Sequence, residues 1–268
     1  MPSEVIETLT KIHTHIQYLN DKFLEGAKKE TDNQKNIVDV YLSRQLENYS
    51  KHLLFITEKL TNDITNSQMY LSQLRTLVDI SCSVIFVLSL ETTEAAQIIF
   101  CEDLITLKKL MPDSFEASFL EYASHHPNLF NNIEGFPKTH DVFSKTRLRK
   151  IKPEGGVNLF FPETFETKID AITPFILSNA VYVSSSIKLN IPDSFLHTWN
   201  SFSYHVHGSH LFKDQFGKEH FWLASKTILS SIVFIEILER ALFKIKQSKN
   251  LRLLIADVRL SLKKLLEL

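Results

Sequence analysis

The stretch richest in reactive groups is Asn200-Ser201-Phe202-Ser203-Tyr204-His205-Val206-His207-Gly208-Ser209-His210, which holds three of the chain's 11 histidines and one of its 6 glycines. Its hydroxyls and imidazoles all hydrogen-bond, and the imidazoles titrate near neutral pH. Charges also occur on helical stretches that are otherwise apolar. Arg75 and Asp79 stand four residues apart, as do Glu236 and Arg240, so each pair shares a helical face. Ser203 and His207 repeat that spacing. A charge desolvated alone costs several kcal/mol. Arg75, Asp79, Ser203 and His207, with Glu236 beside them, are therefore expected to meet in one polar cluster between helices. As a reacting site, the cluster has His207 as candidate general acid–base and Arg75 as the group that stabilises phosphate charge. The competing reading is a structural knot that fixes helix register.

Other chemistries find less material. His205, His207 and His210, with His197 upstream, suggest a metal, but positions two apart on a helix do not share a face. The same holds for His13 and His15. Gly155-Gly156 lacks the Lys-Ser/Thr and the preceding strand of a phosphate loop, and neither a Gly-x-Ser-x-Gly elbow nor an HExxH motif is present. The expectation is no metal and no cofactor. For nucleic acid, the best segment is Lys138, Lys145, Arg147, Arg149, Lys150 and Lys152, with Phe143 interleaved. Such a run tracks a phosphate backbone and stacks a base, making RNA or DNA a candidate partner, or it is a solvated loop face.

Composition limits the class. The 268 residues are 44% hydrophobic and 23% charged, the balance of an ordinary globular protein. A net charge of -1 gives no global attraction to nucleic acid or an anionic membrane. Cys82 and Cys101 lie in apolar contexts without CxxC spacing and read as buried thiols of a reducing compartment. The N-terminus has no signal-peptide pattern, and Leu77–Leu90 and Phe221–Leu238 fall short of the ~20 clean apolar residues of a membrane span. A soluble, cytoplasmic protein with no membrane association is expected.

The elements that must position these groups are helices. With 6 Gly and 8 Pro the chain is poor in turn formers. Ser3 is a candidate N-cap for a first helix whose stripe is Val5, Ile6, Leu9, Ile12, Ile16, Leu19, Phe23 and Leu24, fading at Gly26. A second helix spans 35–60, and the two form an antiparallel hairpin whose stripe is a candidate dimer surface. Further helices are expected over 65–90, 94–111, a short piece from 113, 164–189 with Pro174 as a kink or restart, 195–207, 218–246 and 251–266. No sustained heptad seam stands out. The segment 125–163 is irregular and basic. The fold class is all-α: a bundle of about eight or nine helices, with a hairpin over 1–62 and a bundle domain over 63–268.

Arg75-Thr76-Leu77-Val78-Asp79, followed later by Ser203-Tyr204-His205-Val206-His207-Gly208-Ser209, resembles a family of uncharacterised helical bacterial proteins. Its members carry Arg-x-Leu-x-Glu on a mid-chain helix and a Ser-x-Tyr-Val-His-Gly-Ser-like stretch. Asp79 stands where that family has Glu, and His205 where it has an apolar or small residue. The resemblance covers about Tyr70 to Arg240 and implies an all-helical fold and, through genomic neighbourhoods, a link to phage defence. The expected function is a binding or assembly module, acting as a homo-oligomer or with a protein partner. The rival is a metal-independent ribonuclease using His207 and Arg75. The Arg-then-His helix motif common among helical ribonucleases of toxin and defence systems is missing here.

Overall fold

On the first helix, α1 (Ser3–Lys29), the buried residues Val5, Leu9, Ile12, Ile16, Leu19 and Phe23 alternate steps of four and three. On the second, α2 (Asn33–Thr61), Leu42, Leu46, Tyr49, Leu53, Ile56 and Leu60 do the same. That alternation is a heptad pattern sustained along both helices, contrary to the expectation from sequence. The seam is easy to overlook because Tyr49 interrupts its aliphatic run. Polar contacts fix the register. Asn36 Nδ2 donates to the Ala27 carbonyl at 2.7 Å, Ser43 Oγ to Asn20 Oδ1 at 2.7 Å, and His13 Nε2 lies 2.8 Å from Ser50 Oγ. Each step of seven back along α1 matches a step of seven forward along α2, so the pair is antiparallel. Six of the eight residues of the stripe expected to dimerise are used inside the chain, at most 4% exposed, while Ile6 is half-buried and Leu24 is 37% exposed.

The computed structural model describes residues 1–31, 33–61, 67–92, 95–96, 98–99, 165–187, 219–243 and 248–266. The described residues form seven helices and no strand: α1, α2, α3 (Ser67–Leu88), α4 (Phe165–Asn179), α5 (Val181–Ile187), α6 (Glu219–Phe243) and α7 (Lys249–Leu266). The all-helical class therefore holds. The expected helices over 113–122 and 195–207, nearly all of 94–111, and the basic insertion 125–163 lie outside the described residues. Cys82 is buried and forms no disulfide among the described residues.

Three local expectations change. Pro2, not Ser3, is the N-cap of α1, and its carbonyl accepts from the amides of Val5 and Ile6. Ser3 Oγ turns to the Glu4 carboxylate instead. Helix α1 also runs through Gly26 to Lys29, because the packed Phe23 and Ala27 hold that turn against glycine's weak propensity. Finally, Pro174 lies within α4 and the chain breaks later, at Ala180. Pro174 and Asp170, the residue whose carbonyl loses its amide partner, are both solvent-exposed, so the missing bond falls at the surface of the bundle.

Helix α6 touches every other described helix. Ile228, Ile232, Val233, Phe234, Ile235, Ile237 and Leu238 are buried around its whole circumference, as a helix at the centre of a bundle requires. Phe221–Phe243 is long and apolar enough to cross a bilayer, which the sequence count understated, yet 72% of its most apolar window is buried within the chain.

Candidate functional site

Two buried acids, Glu236 and Glu239, and the half-buried Arg240 stand together on the C-terminal half of α6. Glu236 is fully buried. Its Oε1 accepts from the Tyr182 amide at 3.0 Å and its Oε2 from the Val183 amide at 2.8 Å. These are the exposed N–H groups at the start of α5, where a helix presents unsatisfied donors and a partial positive charge. One turn along α6, Arg240 donates from a guanidinium nitrogen to the Ser178 carbonyl of α4 at 3.1 Å. Its Nε stands 3.6 Å from Glu236 Oε1. Had α4 continued, the Tyr182 amide would bond the Ser178 carbonyl; the two residues of α6 supply each half of that lost bond. Burial pushes the Glu236 carboxyl above the ordinary glutamate range, opposed by the two amide hydrogen bonds and the Arg240 charge.

Glu239 faces the other way. His15 Nε2 of α1 donates to its Oε1 at 2.8 Å, and both side chains are shielded, 10% and 3% exposed. Ser248 Oγ donates to the same oxygen at 2.8 Å and accepts the Leu251 amide at 3.0 Å, so Ser248 caps α7 while anchoring it to α6. Burial pushes the Glu239 carboxyl up, but the hydrogen bonds from His15 and Ser248 and the His15 charge outweigh it and hold the group below the ordinary range. Glu239 Oε2 has no hydrogen-bond partner among the described residues. A His–Glu–Ser set invites comparison with a nucleophilic triad, but the connectivity differs. In a triad the serine bonds the imidazole; here the serine and the imidazole both bond the carboxylate. With Ser248 donating to a carboxylate and its lone pair facing an amide, the arrangement ties three helices and has no activated hydroxyl.

The residues expected from sequence are distributed as follows. Arg75 Nε lies 3.8 Å from Asp79 Oδ2 on α3, the same-face pair that the spacing requires. Their side chains are 28% and 46% exposed, so the desolvation that would force them toward other charges acts only weakly. Glu236 bonds α5 and Arg240, and neither Arg75 nor Asp79 is among its hydrogen-bond or ion-pair partners. Ser203, His207, Lys145, Arg147, Arg149, Lys150 and Lys152 lie outside the described residues. No group of three or more metal-ligating side chains occurs among the described residues.

Sequence reasoning missed the His15–Glu239–Ser248 set. The signal was present: Glu239 interrupts the same apolar helix as Glu236, and a serine shortly before an apolar periodic run is a helix-cap pattern. His15 was set aside because it cannot share a face with His13. That is true, and each serves a different neighbour, His13 reaching Ser50 of α2 and His15 reaching α6.

Buried hydroxyls complete the network. Tyr49 OH of α2 lies 2.8 Å from Ser231 Oγ of α6, with its ring 4.8 Å from Phe234. Thr8 Oγ1 of α1 lies 2.8 Å from Ser261 Oγ of α7, which also donates to the Glu4 carbonyl. No family model, curated protein or solved structure matches this chain.

Proposed function

We propose that the chain is a helical binding or assembly module, acting in bacterial phage defence as the resemblance over Arg75–Asp79 and Ser203–Ser209 implies. The observation that carries this reading is on α7. One side of that helix is packed into the bundle through Leu251, Leu254, Ile255 and Val258, while Leu253 and Leu260 stand 58% and 51% exposed on the other. A rigid helix with apolar side chains held outward is how a protein offers a surface to another molecule. The buried ionisable groups Glu236 and Glu239 support the same reading, since their hydrogen bonds join helices.

The test is against the ribonuclease rival. Purified full-length protein is incubated with total RNA beside His207→Ala, with circular dichroism confirming that both are folded. A binding module leaves the RNA intact in both samples. Cleavage by wild type that disappears in folded His207→Ala overturns the reading in favour of the enzyme.

A further inference from the structure

We infer that the outer face of α7 docks an acidic amphipathic helix of a partner protein. The inference rests on the reading of the chain as a binding module and adds the chemistry of what is bound. Leu253, Ala256 and Leu260 are all exposed, at a spacing of three and then four. These are successive a, d and a positions of a heptad, with the leucines ~10.5 Å apart along the axis and the exposed Lys249 and Lys263 at the flanking d positions. In that register Arg252 and Arg259 occupy g positions and Lys264 an e position, and all three are exposed. The remaining e position in the seam is Asp257, whose carboxylate is held by Lys11 of α1 at 3.0 Å. Across Lys249–Leu266 the helix carries five basic residues and this single acid.

A helix laid along Leu253 and Leu260 brings its own e and g side chains beside these cations. Carboxylates there form charge-assisted contacts at the rim of an apolar seam, the arrangement that sets partner choice in coiled coils. The other side of α7 is already anchored in the core, so docking orders little of this chain. A second copy fits poorly: antiparallel pairing opposes Arg252 and Arg259, and parallel pairing sets Arg259 against Lys264 while offering Arg252 only Asp257, which Lys11 already holds. Two leucines amid cations also provide too little apolar width for a bilayer, and the seam has no aromatic ring on which a base would stack.

The experiment titrates full-length protein into a fluorescent three-heptad peptide with leucine at a and d and glutamate at e and g. Its own charge keeps this peptide from self-pairing at neutral pH. The lysine counterpart, phosphatidylserine–phosphatidylcholine vesicles and a single-stranded RNA form parallel arms. The expected result is saturable, salt-sensitive binding of the glutamate peptide only. Binding weakens about tenfold or more in Leu253→Ser/Leu260→Ser, as for loss of apolar anchors. In Arg252→Glu/Lys264→Glu the preference moves to the lysine peptide. Because these positions are exposed, both variants keep wild-type circular dichroism. Absence of glutamate-peptide binding overturns the inference, as does binding unchanged in the variants, or vesicle or RNA binding that depends on the same residues. None of these results involves RNA cleavage, so the docking inference fails separately from the binding-module reading.

Discussion

Glu236 and Arg240, one turn apart on α6, hold the opposite sides of a single interrupted helical turn: Glu236 takes the amides of Tyr182 and Val183, and Arg240 reaches the carbonyl of Ser178. The pair spans the break between α4 and α5: the buried carboxylate satisfies the amides, and Arg240 meets the Ser178 carbonyl at the surface. It also explains why two charges persist in a helix that is otherwise greasy all round.

Removing one member should therefore be costly. Glu236→Ala leaves two amides without their acceptor and Arg240 without its ion-pair partner, and is expected to destabilise the fold by about 3–5 kcal/mol. Glu236→Gln keeps one acceptor oxygen and should cost less. Urea denaturation gives the energies, and hydrogen exchange at the Tyr182 and Val183 amides should accelerate in both variants.

The His15–Glu239 contact predicts a pH signature. The Glu239 carboxyl is held below its ordinary value in the folded state, so its contribution is complete above about pH 4.5 and is lost as pH falls through the depressed folded value. Glu236 has the opposite sign: its raised carboxyl favours the fold at low pH, and that share is lost as pH rises through the raised value. His15→Ala should lower stability by about 3–5 kcal/mol near neutral pH, by leaving a buried carboxylate short of a partner. The gap between variant and wild type should narrow as pH falls below 4.5. Melting temperatures from pH 3 to 7 measure it; a gap independent of pH would contradict the assignment.

Ser248 has two roles that separate by substitution. Ser248→Ala removes the cap of α7 and one hydrogen bond to Glu239, at a cost of about 0.5–2 kcal/mol for the cap. Ser248→Asp keeps a capping oxygen but sets a second carboxylate beside Glu239, so it should be no better than alanine. Exchange of the Leu251 amide reports the cap directly.

Tyr49→Phe tests the hydroxyl contacts between α2 and α6. Burial pushes the Tyr49 hydroxyl well above the usual tyrosine range, so it stays a neutral donor at any physiological pH. Its loss leaves Ser231, which is fully buried, without that partner and should cost about 1–3 kcal/mol in a denaturant titration. The ring itself stays packed on Phe234, so the fold is retained.

Much of this was legible in the residue order. The stripe from Val5 to Leu24 foretells a helix with one buried side, because periodicity alone states which face must be covered. The four-residue spacings of Arg75 with Asp79 and of Glu236 with Arg240 likewise state that each pair shares a face. Which partner each charge meets is a different kind of fact. Glu236 caps α5 and Glu239 holds His15, residues 53 and 224 positions away along the chain, and no local pattern encodes such distances. The chain break at Ala180 rather than Pro174 belongs to the same class, since it depends on carboxylate and guanidinium groups delivered by another helix. Helix faces follow from the sequence because backbone geometry is local; the pairing of buried polar groups follows from tertiary structure, where packing alone decides which donor lies within reach of which acceptor.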